Sequence, residues 1–344
     1  MTVDGRGAEE RPMDRAAAFL ADVLDGPVAL DRLLDAYVAA DGSLATLRRR
    51  TAALGGPPGR PPRIRIVGLG SSRFAGLTVA AWLRGAGVDA AAELASAGSP
   101  TPAAPGLVVF AVSASGTTRE VVDAVKRHRG TSLVVAVTNR PDSAIAAAAD
   151  LVLPLLAGEE RAGVACRTYA ATLAVLALAA SVVTDEPVPD LRPAIAAGAS
   201  LRAGRSGWAA AADVLDGADE IHVIGDGGRP GTLEQAALVL REAPRLAALP
   251  VDAGDWLHTA VYTMLPRGRA LLFTGTPYDA EVVATIRGRG GEFVSVGPPV
   301  ASSAVHVALP AATPRDAIGR SIVEIGAAEL IAAELWSRAR ALEA

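Results

Sequence analysis

The sequence predicts an α/β fold built twice, each copy a mostly parallel sheet flanked by helices. Three observations carry this. From Ile64 onward, short apolar runs alternate with helical stretches, the pattern of βαβ units. The chain also reads alike in two places, Ile64 to Gly70 and Glu220 to Gly227, with Gly68 and Gly225 lying 225 − 68 = 157 residues apart. A length of 344 residues leaves room for two domains with ample cores.

Taken in order, residues 1–60 form a helical leader. Phe19, Leu20, Val23 and Leu24, then Leu30, Leu33, Leu34 and Tyr37, recur at helical spacing. Pro27 is expected to separate two short helices, and Gly55 to Pro62 to be a linker. The first copy occupies 61–190 and the second 191–344, joined by the Pro- and Asp-rich stretch Thr184 to Pro193. Leu107 to Phe110, followed by a turn and the helix from Arg119, is echoed by Ala270 to Phe273, a turn and the helix from Ala280. A further strand follows each, Leu133 to Val137 and Phe293 to Val296.

Composition narrows the function classes. Lys and Arg number 33 against 37 Asp and Glu, so the net charge is −4, and the arginines are scattered, which argues against a nucleic-acid partner. A single cysteine, Cys166, excludes an intrachain disulfide and a cysteine-based zinc cluster, and no metal is expected. The mean hydropathy of +0.32 comes mainly from alanine. The longest apolar run, Ala170 to Val183, is short for a bilayer, and the polar stretch after Met1 carries no secretory signal. A cytoplasmic protein with no membrane partner is expected.

Two glycine turns could hold a ligand. Gly68-Leu69-Gly70 after a strand invites a dinucleotide reading, but the third glycine of that fingerprint falls on Arg73, and Asp89 is weak support for a ribose contact. No nicotinamide or other cofactor is expected. Val112-Ser113-Ala114-Ser115-Gly116-Thr117-Thr118 is more informative. Hydroxyls and backbone N–H groups at a helix start suit a phosphate monoester, adding donors without charge. Gly70-Ser71-Ser72 on the neighbouring strand end adds more. The plainer alternative is that Ser113 or Ser115 caps the helix. The second copy reads Gly227-Gly228-Arg229-Pro230-Gly231 and Thr274-Gly275-Thr276-Pro277, each loop losing a donor to proline. The phosphate belongs to the first copy.

These loops resemble the signature of the sugar isomerase (SIS) domain: Gly68-x-Gly70-Ser71-Ser72, Ser113-x-Ser115-Gly116-x-Thr118-x-Glu120, Thr138-Asn139, and Gly158-Glu159-Glu160 through Gly163-Val164-Ala165-Cys166. The tandem arrangement is similar to the isomerase half of the glutamine–fructose-6-phosphate aminotransferases and to stand-alone phosphosugar isomerases and fructosamine-6-phosphate deglycases. The resemblance implies two Rossmann- or flavodoxin-like SIS domains. It assigns substrate contact to Gly70, Ser71, Ser72, Ser113, Ser115, Gly116, Thr118 and Val164. Leu233 to Glu242 resembles the family's catalytic helix when aligned on Glu242, and Gly254-Asp255-Trp256-Leu257-His258 resembles its Gly-Glu-Leu-Lys-His segment. Glu242 would then move a proton between C1 and C2 of a phosphosugar. His258, donated from a neighbouring subunit of a homodimer or dimer-based oligomer, would assist ring opening.

Chemistry agrees with these assignments. Aldose–ketose interconversion through an enediol needs one carboxylate that takes and returns a proton, and ring opening needs a group titrating near neutrality. Of four histidines, His222 and His306 fall within strands and His128 near a helix end, leaving His258 after a turn. Departures from the family are Gln235 and Val239, where its pattern has Glu and Lys, and the lack of any lysine beyond Lys126. With no glutaminase segment in this sequence, isomerisation or deglycation and deamination of an (amino)sugar 6-phosphate is the expected activity. A non-catalytic sugar-phosphate sensor is the rival, and a nucleotide-binding α/β protein a third reading.

Overall fold

The computed structural model describes residues 14–39, 42–54, 61–204, 207–266 and 268–343, with side chains to residue 339. The expectations for the first dozen residues and for most of the Gly55 to Pro62 linker lie outside the described residues.

The leader is α1 (Arg15–Ala39) and α2 (Gly42–Ala52). Here the expectation of a break at Pro27 is corrected, because α1 runs through it. Proline removes the N–H that would bond the carbonyl four residues back, which is that of Val23. Arg202 Nε donates to that carbonyl instead, at 2.7 Å, so the helix continues without an orphaned acceptor.

The first half follows as β1 (Arg63–Gly68), α3 (Ser71–Gly85), β2 (Ala90–Leu94), β3 (Leu107–Val112), α4 (Arg119–His128), β4 (Leu133–Thr138), α5 (Ala144–Ala148), β5 (Leu151–Pro154) and α6 (Arg167–Thr184). All five strands are parallel, in the order β2-β1-β3-β4-β5. β3 and β4 are buried at every residue, which is why they read as unbroken apolar runs rather than alternating ones.

The second half comprises α7 (Arg192–Ala203), α8 (Trp208–Leu215), β6 (Ile221–Gly225), α9 (Pro230–Glu242), β7 (Ala248–Asp252), α10 (Ala253–Trp256), β8 (Arg269–Phe273), α11 (Asp279–Gly288), β9 (Glu292–Val296), β10 (Val305–Val307) and α12 (Ala317–Glu343). Its sheet is again parallel, ordered β7-β6-β8-β9-β10, the same topology as the first. The equivalent helices α3 and α9 pack on each other, and α12 packs against α1, α3, α6, α7, α8 and α9. One continuous core includes residues of the leader and of both halves.

α6 is long and apolar enough, by length and composition, to cross a membrane, but here it is a core helix with 78% of its span buried. Burial on nearly every side removes the need for an amphipathic stripe, which explains its uniform apolarity.

Candidate functional site

In each sheet the chain leaves the first strand to one side for the second and to the other side for the third. The crevice outside the carboxyl ends of β1 and β3 is therefore the topological switch point, where ligands bind in open parallel sheets. Gly70, Ser71 and Ser72 stand at one of these ends, and Ser113, Ser115, Gly116 and Thr118 at the other.

Gly70 adopts φ of 50°, and no side chain caps α3, so the N–H groups of its first turn remain open toward this crevice. The second loop is held by its own hydroxyls. Ser113 Oγ lies 2.9 Å from Thr118 Oγ1 and accepts from Gly116 N at 3.1 Å. Ser115 Oγ accepts from Thr117 N at 3.3 Å. The residue preceding α4 is Thr118, and no side chain caps that helix, so Ser113 and Ser115 are not its caps. Gly116 has φ of 67°, and a Cβ there would overlap Ser143 Oγ, so the turn requires glycine. Thr138 and Asn139 brace the loop from behind: Thr138 Oγ1 donates to Ala114 O at 3.3 Å and Asn139 N to the same carbonyl at 3.1 Å, while Asn139 Nδ2 donates to Gly158 O at 2.6 Å in the loop between β5 and α6.

Val164 is buried in the loop between β5 and α6. Two carboxylates that the sequence did not single out as site residues shape this loop. Glu160 accepts from Cys166 N at 3.1 Å, from Thr168 N at 2.8 Å and from Thr168 Oγ1 at 2.9 Å. Asp22, from the leader, accepts from Arg161 N at 2.6 Å and pairs with Arg167 at 2.9 Å. Burial, reinforced by the carboxylates of Glu160 and Glu329, pushes the Cys166 thiol well above its usual range, against the opposing Arg167 N–H. It therefore stays a protonated core thiol rather than a nucleophile.

Glu242 ends α9 with its side chain exposed, and desolvation by neighbouring groups raises its pKa against the opposing charge of Arg241. α9 packs on α3, and Gly231 near its start lies so close to Phe74 O and Thr78 Oγ1 that no side chain would fit there.

His258 follows α10, exposed, and its ring has no hydrogen-bond partner among the described residues. The other histidines are engaged structurally. His222 Nδ1 accepts from Trp256 Nε1 at 2.9 Å, and burial, opposed by Glu220, lowers its pKa. His128 Nδ1 meets Ser132 Oγ at 3.2 Å, and His306 Nδ1 meets Ser295 Oγ at 2.9 Å. Asp89, the weak ribose candidate, pairs with Arg65 at 2.8 Å. Among the described residues no group of three metal-ligating side chains occurs.

Residues 60–182 match the family model described as the SIS domain. Over that stretch the chain is similar to the SIS domain. It is 31% identical over 255 residues to the isomerizing glutamine–fructose-6-phosphate aminotransferase of Aeropyrum pernix, covering 69% of this chain and 41% of that protein. The matches thus span well under half the length of the curated relatives. Among solved structures, the C-terminal domain of glucosamine-fructose-6-phosphate aminotransferase from Francisella tularensis superposes with a TM-score of 0.76 at 17% identity, covering 98% of each chain. Tagatose-6-phosphate ketose/aldose isomerase from Escherichia coli gives 0.78 at 18% identity, covering 95% of each. At these identities the structural likeness speaks for the fold: two parallel five-stranded sheets flanked by helices.

Proposed function

We propose that the chain is a tandem SIS protein that interconverts or deglycates a sugar 6-phosphate, or an amino-sugar 6-phosphate, through an enediol or enolamine. Its setting would be the cytoplasm. One observation carries the reading. The loop Ser113–Thr118 and the uncapped starts of α3 and α4 turn hydroxyls and free N–H groups to the switch point, the equipment a phosphate needs, and α9, which ends at Glu242, packs on α3.

In this reading Ser71, Ser72, Ser113, Ser115 and Thr118, with the N–H groups beside Gly70 and Gly116, hold the phosphate. Val164 lines the sugar. Glu242 takes the proton from one carbon and returns it to its neighbour, and its raised pKa brings it nearer the proton affinity such a shuttle needs. His258 is exposed within one chain, in keeping with a second copy completing the site in a dimer, where it opens the ring or protonates a leaving amine.

Proton NMR in D2O with ketose and aldose 6-phosphates and their amino and Amadori derivatives tests the reading. Deuterium enters C1 or C2 of one compound if it holds. Glu242→Gln is expected to slow that exchange by about 10²–10⁴-fold while leaving binding nearly intact. Loss of binding in parallel would remove Glu242 from the role of base. A phosphosugar sensor is the second reading, favoured by the uncharged Gln235 and Val239, both fully buried on α9. It predicts ligand-induced line broadening without exchange.

A further inference from the structure

Gln235 lies on α9 with no exposed surface, and its Nε2 donates across the seam between the halves to Ala165 O at 2.8 Å. Ala165 follows Val164 in the loop that Glu160 clamps from the other side. Gln235, Val239 and Glu242 are spaced i, i+4 and i+7, so they share one face of the helix. Because Ala165 offers an acceptor, the amide orientation is fixed, and Oε1 is left buried without a hydrogen-bond partner.

We infer that Gln235 is a positioning residue: a neutral strut that sets the rotation and axial position of the Glu242 face of α9 against the Val164–Ala165 loop. The inference rests on the proposed role of Glu242. What the position requires is a donor. A carboxylate here would set two acceptors face to face in a site closed to water, and Val239, one turn on, supplies no cation to pair with it. A protonated carboxyl, by contrast, can donate to Ala165 O as the amide does. Gln235→Glu therefore converts a fixed strut into a titratable one, and burial raises the pKa of the introduced acid. The charged and titratable groups facing this part of α9 include Arg73 on α3, Glu160, Cys166, Arg167 and Tyr169 on the loop and α6, Glu234 and Arg241 on α9 itself, and Glu324 and Glu329 on α12. They hold both signs, so none imposes a lone counter-charge on residue 235.

The test compares wild type, Gln235→Glu and Gln235→Met across pH 5 to 9, by two readouts on the full chain. In the deuterium-exchange assay, Gln235→Glu retains turnover in acid and loses roughly tenfold for each pH unit above its new pKa, a limb absent from wild type. Gln235→Met is slow at every pH. Amide hydrogen exchange of residues 161–166 reads the strut without turnover: Gln235→Glu protects this loop like wild type in acid and loses protection in base. Protection equal to wild type at both ends of the range overturns the strut. If wild type itself exchanges no deuterium into any sugar phosphate, the enzymatic reading of Glu242 has failed, and loop protection still decides the strut. Should Gln235→Met not fold, the acid and alkaline forms of Gln235→Glu supply the same contrast within one protein.

Discussion

The two halves share one strand order, yet their loops at corresponding strand ends satisfy their polar groups in different ways. In the first half the loops after β1 and β3 carry hydroxyls and glycines but no acid that binds their N–H groups. In the second half the chain supplies its own carboxylates. Asp252 accepts from Gly227 N at 2.8 Å and also caps α10. Asp226 accepts from Gly228 N at 2.7 Å and pairs with Arg229. Asp279 accepts from Gly275 N and from Thr276 Oγ1, each at 2.6 Å. One topology thus offers the same set of donors twice, and the second set is occupied by internal anions. A fold with an anion-ready edge does not bind one wherever the edge recurs. What distinguishes the halves is whether the sequence has already filled the place.

Three further experiments press on that contrast. The largest effect is expected on stability, from the equivalent helices α6 and α12. α6 carries no acid, whereas α12 buries Glu329, whose pKa burial pushes up to about 7 against the opposing Arg202. A carboxyl that binds its proton more tightly when folded favours the native state in acid and weakens it as pH rises from the unfolded value toward 7. Over that window wild type should lose about 3 kcal/mol, read by denaturant midpoints at pH 5 and pH 8, and Glu329→Gln should flatten the difference. A wild-type protein equally stable at both pH values would contradict this account of the buried acid.

The next effect is on affinity. Removing two cradle hydroxyls together, Ser113→Ala with Thr118→Val, should weaken binding of inorganic phosphate or a hexose 6-phosphate by about 2 kcal/mol, as measured by calorimetry. Unchanged affinity would move the anion away from this loop. The smallest effect is its counterpart in the second half. Asp279→Asn should lower stability by about 1 kcal/mol in thermal melts and leave ligand affinity as it was. A change in affinity there would mean that the second edge is not closed.

The architecture was legible because parallel strands buried on both faces appear as bare apolar runs, and Leu107–Val112 and Leu133–Thr138 are such runs. Pro27 misled, because the group that rescues its helix, Arg202, is far away in sequence. The candidate loops were legible for a related reason: Ser113 to Thr118 is a local cluster whose hydroxyls mostly bond one another. The supports were not. Asp22, Glu160 and Gln235 act on backbone groups of Arg161, Cys166 and Ala165, and a backbone carbonyl or amide leaves no mark in a sequence. Proline was read as the reason the second edge is closed. The carboxylates of Asp252 and Asp279 are the more direct cause, and they are plain acids until the fold shows what they touch.

α12 packs against the leader and both halves, with Trp336 meeting Phe19 at a ring-centroid distance of 5.7 Å. On the ribosome, the first sheet and its helices are made long before the segment that seals them. The nascent chain therefore carries an open apolar seam through most of its synthesis. The molecule closes only when Ala317 and the residues after it emerge, so its halves, though repeats in plan, mature as a single unit.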